Sequence, residues 1–238
     1  YVSIPDASPR AKSDYLTAVL RGMDPKFTNS FSAEFDSVMS EMVKVHPSDS
    51  SALSLAGLYY FTTNRNEKAL ECFRANAQAH PESISASAGY VEFLMYAGMW
   101  EELSQQGRKS YERFPQETTF LEMASVADYN LKEYDKVLEI CDLVLEAAPA
   151  DSSKTLRAWS TKGDVYHVLG ETKKSYKAYD KALKINPDYV YVLNNYAYYL
   201  SMEGKNMKKA YAMSRKTVEA EPDNATYLDT FGWILYLM

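Results

Sequence analysis

The chain has 238 residues and a formal net charge of −6, with no run approaching the ~20 apolar residues of a membrane-spanning helix. It shows no basic stripe, which argues against nucleic acid as a partner. Its two cysteines are too few for a disulfide framework.

Residues 1–8 are expected to be extended or disordered. Residues 9–23 and 29–46 read as two helices interrupted by Asp24-Pro25, and residues 1–49 form a degenerate N-terminal helical unit. Prolines then recur at Pro47, Pro81, Pro115, Pro149, Pro187 and Pro222, with gaps of 34, 34, 34, 38 and 35 residues. Such a period marks a stacked repeat array, which grows in one dimension without a central core. It divides residues 50–224 into five units, 50–83, 84–117, 118–151, 152–189 and 190–224, and leaves 225–238 as the first helix of a truncated further unit.

With the proline numbered 32 of 34, the first unit has Gly57 at position 8, Tyr60 at 11, Ala69 at 20 and Phe73 at 24. The fourth has Trp159, Gly163 and Tyr166 at 4, 8 and 11, then Tyr179, Ala182 and Pro187 at 24, 27 and 32. This set resembles the tetratricopeptide repeat. The resemblance implies an all-α fold, a right-handed superhelix (an α-α solenoid) of antiparallel helix pairs. The physics agrees. A small residue at position 8 or 20 lets two helices approach, and large residues at 4, 11 and 24 fill the space around the contact. Proline at 32 stops the second helix. Ser50-Ser51 and Asp223-Asn224 are candidate N-caps, and Gly98, Gly170 and Gly204 stand at the turn inside a unit.

The irregular units are informative. Ser152–Thr155 insert four residues before the fourth unit, about one helical turn. Its first helix is therefore expected to start a turn early with the same face inward. In the second unit position 8 is Val91 and position 24 is Gly107. Tyr90, Phe93 and Trp100 are expected to supply bulk there, and the helices to pack at a different angle. In the last helix Leu228, Gly232 and Leu235 hold positions 4, 8 and 11 with no second helix after them. The burial lost there is on the order of 5–10 kcal/mol, at about 1.5–3 kcal/mol per large side chain. The expectation is that the natural protein continues past Met238, or else that this open end binds another copy. The chain opens with Tyr1, as a processed or excised piece would.

No catalytic constellation is visible, and neither a cofactor nor a metal is expected. His46 and His80 share position 31 and read as helix ends, and no Gly-rich loop follows a strand to cradle phosphate. Cys72 and Cys141 lie two repeats apart, roughly 20 Å at helix-packing spacing, too far for a bridge.

The resemblance also implies a concave groove lined by the first helices. On this chain it places Tyr96, Tyr129, Asn130, Arg157, His167, Asn194, Asn195, Tyr198 and Trp233 there, with Asp164 and Tyr191 beside them. Arg157 is the one basic residue on that surface, so a carboxylate clamp for chaperone tails is not expected. A repeated asparagine ladder is missing too. What remains is a trough of aromatics and methionines with a few amides, suited to a protein or peptide segment. Two roles stay open for each aromatic, ligand contact or packing between first helices.

The expected function is a non-catalytic interaction scaffold, in a bacterial multiprotein assembly. The alternatives are the docking arm of a longer enzyme and a homo-oligomerising module. The runs Leu193–Leu200 and Asn224–Trp233 resemble bacterial tetratricopeptide proteins linked to the cell envelope or to lipoproteins. That likeness favours the periplasm or outer membrane over the cytoplasm.

Overall fold

The computed structural model describes residues 2–21 and 32–238. Within them the chain forms thirteen α-helices and no strand, an all-α helical solenoid. The helices are α1 (Pro9–Arg21), α2 (Ser32–Val45), α3 (Ser50–Thr62), α4 (Asn66–Ala79), α5 (Ile84–Tyr96), α6 (Trp100–Arg113) and α7 (Thr119–Asn130). They continue as α8 (Tyr134–Ala147), α9 (Ser152–Val168), α10 (Thr172–Ile185), α11 (Val190–Met202), α12 (Met207–Ala220) and α13 (Ala225–Leu237). Two compact units divide at Leu131/Lys132, inside the third repeat. The break expected at Asp24-Pro25 lies outside the described residues.

Each helix end has a local cause. Four first helices, α3, α5, α9 and α13, are capped by a short polar side chain, while α7 and α11 have no side-chain cap. Asp49, not Ser50, accepts from Ala52 N, and Ser83 accepts from Ala86 N. Asp151 accepts from Ser153 N and Lys154 N, and Asn224 from Thr226 N and Tyr227 N. Helix α9 is 17 residues long where α5 has 13, and the four extra residues extend its start by one turn.

The turns inside the repeats close alike. Position 15 is left-handed in all five units, as Asn64 (φ 60°), Gly98 (67°), Lys132 (61°), Gly170 (74°) and Gly204 (63°). After it, Arg65 N bonds Tyr60 O, Met99 N bonds Leu94 O, Glu171 N bonds Tyr166 O and Lys205 N bonds Leu200 O. This six-to-one closure is a Schellman motif, which favours Gly, then Asn, at the left-handed residue. Lys132 carries a Cβ there and bears the strain.

In the first unit, the contact between position 8 and position 24 positions neighbouring helices. A Cβ on Gly57 would lie 3.1 Å from the Phe73 ring, so α3 and α4 meet with glycine against aromatic. In the second repeat the arrangement is reversed and redirected. Gly107 lies against α7, where an added Cβ would be 2.7 Å from Phe120 O and 3.0 Å from Ala124 Cβ. The tightest approach of α6 is therefore to the next repeat, because Val91 bars it from α5. Tyr90 and Val91 are buried and Trp100 packs partly buried at this place, while Phe93 is buried against Phe61 and Phe73 of the preceding repeat. A buried polar cluster joins α6 to α7: Asp128, fully buried, accepts from Ser104 Oγ and Arg108 Nη2, each at 2.5 Å.

Residues 2–8 form turns where the sequence suggests an extended or disordered segment. Lys12, fully buried, donates to Val2 O, Ile4 O and His46 Nε2, which ties this segment to α1 and to the end of α2. These acceptors satisfy an ammonium that burial would otherwise penalise heavily. Cys72 is buried and free, and burial pushes its thiol up to about 11.

The second unit is built on Tyr179, Ala182, Val192, Tyr196, Ala197, Leu200, Ala210 and Ile234. Here Gly163 and Tyr179 form the glycine–aromatic contact between α9 and α10. Cys141 is also buried and free in this unit.

Candidate partner-binding surfaces

In the second unit the first-helix surface is organised by Asp164 on α9. Its Oδ1 accepts from Tyr179 Oη at 2.5 Å and Asn195 Nδ2 at 3.2 Å, and its Oδ2 from Tyr191 Oη at 2.9 Å. Burial raises the Asp164 carboxyl above its ordinary value against the pull of these three donors. Tyr179 and Tyr191 are pushed up in turn, first by burial and then by the Asp164 charge. The network fixes α11 to α9 through Tyr191 and Asn195, which sit four residues apart on one face.

His167, one turn beyond Asp164, stacks on Tyr199 with ring centroids 3.4 Å apart and an interplanar angle of 11°. Burial lowers its pKa, opposed by Asp164 and Glu203. Its Nδ1 has no hydrogen-bond partner among the described residues. Asn194 is buried, its Oδ1 unpaired and its Nδ2 a long 3.5 Å from Asn195 Oδ1. The resemblance to the tetratricopeptide repeat places both asparagines among the groove candidates. In the folded chain Asn195 donates to Asp164 and Asn194 is buried. Arg157 is exposed and donates to Ser153 Oγ at 2.7 Å on its own helix.

The open part of this surface is aromatic. Tyr198 and Trp233 are 38% and 39% exposed, Tyr191 44% and Tyr236 80%, a level that leaves a face of each ring to solvent. Tyr198 packs tilted on Tyr199, with ring centroids 5.8 Å apart, and Trp233 lies 5.8 Å from Tyr236. Met202 is exposed beside them on α11.

The first unit has a surface of its own. Tyr96 is exposed and its ring sits 5.7 Å from Phe61, which packs in turn on Phe93. Tyr129 is exposed on α7, while Asn130 donates to Val126 O within its helix.

Sequence reasoning places Asp164 and Tyr191 on this face but misses Asp164 as the hub, and it misses Tyr179 as a donor. A signal exists. Position 9 of one repeat and positions 2 and 6 of the next carry Asp, Tyr and Asn, a complementary set. Among the described residues no group of three or more His, Cys, Asp or Glu is placed to hold a metal ion, and no helix is long and apolar enough to cross a membrane.

Comparison with known proteins agrees with this architecture. The chain carries tetratricopeptide repeats: residues 156–189 match one sequence profile of the tetratricopeptide repeat and residues 178–210 a second. It is 25% identical over 175 residues to human protein O-mannosyl-transferase TMTC1, covering 72% of this chain and 19% of that protein. It is 24% identical over 180 residues to superkiller protein 3 of Schizosaccharomyces pombe, covering 71% of this chain and 12% of the relative. The chain thus spans a fifth or less of the curated relatives it matches. Among solved structures it is similar to YrrB, described as a tetratricopeptide protein with an unusual peptide-binding site. The TM-score is 0.57 at 14% identity, over 80% of this chain and 96% of YrrB. The fold is consistent with a protein–protein interaction scaffold.

Proposed function

We propose that this chain is a non-catalytic scaffold that holds a protein segment along the first-helix surface of its second unit, within a multiprotein assembly. The observation that carries this reading is the prearranged Asp164–Tyr191–Asn195 network flanked by exposed Tyr198, Trp233 and Tyr236. Rings of this kind anchor interfaces at low cost in side-chain entropy. A surface held by its own hydrogen bonds loses little freedom when a partner binds. The peptide-binding site named for YrrB supports the same direction. The bacterial envelope setting belongs to this proposal and rests on the likeness of the last third of the chain.

The match to an O-mannosyl-transferase favours a second reading, in which these repeats form the docking arm of a longer enzyme. Both readings need a bound segment on the same face.

The test is selection of a phage-displayed peptide library on the wild-type chain and on the Tyr198→Ala/Trp233→Ala variant. Peptides retained by the wild type and lost by the variant, with melting unchanged, support the proposal. Selection of no peptide, or equal retention by both proteins, overturns it.

A further inference from the structure

A second concave site lies in the first unit, away from the first-helix face. Between α4 and α6, with α5 as its floor, a cleft of about 380 Å³ opens. Its size is that of a small-molecule pocket, but its lining is polar. It arises from the reversed packing of the second repeat. Gly107 draws α6 onto α7, and another side of α6, carrying Glu102, Lys109 and Arg113, lines the gap toward α4. The stripe is helical: residues 102, 106, 109 and 113 recur at steps of three and four.

The charges of the cleft do not cancel. Glu102 is held by Arg74, whose Nη2 donates to both carboxylate oxygens at 3.0 Å, while Arg74 Nε donates to Tyr90 Oη at 2.9 Å. Tyr90 Oη itself donates to Glu102. That triad consumes the one carboxylate of the lining. Lys109 has no partner among the described residues, and Arg113 makes one bond, from Nη1 to Pro81 O at 3.0 Å. Three cations against one carboxylate leave the cleft at +2, within a chain of net charge −6. Arg74 Nη1, Arg113 Nη2 and Lys109 Nζ are left as donors, and Ser87 of the floor and Ser110 of α6 line the same cleft.

We propose that this cleft is a binding site for an anionic group, carboxylate or phosphate, gripped by Lys109 and Arg113 over the Arg74–Glu102–Tyr90 floor. Guanidinium and ammonium donors give charge-assisted bonds to both oxyanions. The anion comes either from a free small molecule or from the acidic side chains of a peptide. The site is separate from the aromatic surface of the second unit and stands whether or not that surface binds a partner.

The test is titration of the chain at low salt with inorganic phosphate, citrate and a hexaglutamate peptide, followed by two-dimensional NMR. Expected are saturable shifts at the amides of Ser87, Tyr90, Gln106 and Ser110, weakened by salt. Affinity should fall roughly tenfold or more in Lys109→Gln/Arg113→Gln, with Lys109→Gln alone intermediate and the melting temperature of both variants close to wild type. Response to phosphate or citrate assigns a small-molecule anion, and response to the peptide alone assigns an acidic segment. Absence of shifts with all three probes, or equal affinity in the variants, overturns the proposal.

Discussion

The ring of Tyr179 occupies the space that a side chain on Gly163 would need: a Cβ there would fall 2.2 Å from Tyr179 Cε1 and 2.4 Å from Cδ1. The same tyrosine is fully buried and donates to Asp164, so it cannot swing away without breaking that bond. Gly163→Ala is expected to destabilise the second unit by about 3 kcal/mol through overpacking. Gly57→Ala meets Phe73 at 3.1 Å and should cost less, about 1 kcal/mol. Urea denaturation of the two variants, monitored by far-UV circular dichroism, checks the order.

Asp164→Ala strips three donors of their acceptor, one of them the hydroxyl of fully buried Tyr179, and should cost about 3 kcal/mol. Asp164→Asn keeps one acceptor oxygen and should cost less. The pH dependence has a definite sign. The folded carboxyl titrates above its unfolded value, so its relative stabilisation is complete below the unfolded value and is lost as pH rises through the folded one. The stability of the wild type relative to Asp164→Asn should therefore decline from about pH 4 upward. A relative stability that climbs over that range would contradict this sign.

His167 has the opposite dependence. Burial beside Tyr199 holds its pKa below the ordinary value, so the unfolded chain takes up the proton first. Stability should drop as pH falls below about 6.5, and His167→Gln should remove that part of the slope. Histidine ring resonances followed by NMR from neutral to acidic pH measure the midpoint directly. A midpoint at or above the ordinary imidazole value would refute the burial argument.

Lys132 holds the left-handed turn position that glycine holds at 98, 170 and 204. Lys132→Gly is expected to raise stability by about 1 kcal/mol, since the backbone strain of a Cβ in that conformation exceeds the entropy cost of glycine. Gly170→Ala should lower it by about 1 kcal/mol for the same reason, because the space around Gly170 is open and sterics play no part. Paired thermal melts would show the two shifts in opposite directions.

Asp128 is fully buried at position 11, where the first and fourth repeats carry tyrosine, and Arg108 is its charge partner. Asp128→Ala leaves the Arg108 guanidinium unpaired and should cost about 3–5 kcal/mol. The double variant Arg108→Leu/Asp128→Leu should recover much of that loss. A double-mutant cycle by chemical denaturation isolates the pair; additive single effects would show that the charges are uncoupled.

Much of the scaffold could be read from single positions. The proline period, the turn glycines and the Gly57–Phe73 and Gly163–Tyr179 pairs follow from rules that act within one helix or between adjacent helices. A proline stops a helix wherever it stands, and a glycine admits close approach wherever a neighbour is large. The Asp164 hub, the burial of Asn194 and the Arg108–Asp128 pair were not legible in this way. The hub and the ion pair join residues on different helices, and the burial of Asn194 needs a neighbouring helix to cover it, so each depends on the angle at which helices cross. Only the folded chain fixes that angle, because it is the sum of many small packing contacts. The second repeat shows the boundary between the two kinds of knowledge. Its sequence announced a departure, with Val91 and Gly107 at positions 8 and 24 and the bulk expected from Tyr90, Phe93 and Trp100. The tertiary structure decided that α6 would turn to α7 and leave a charged cleft beside α4.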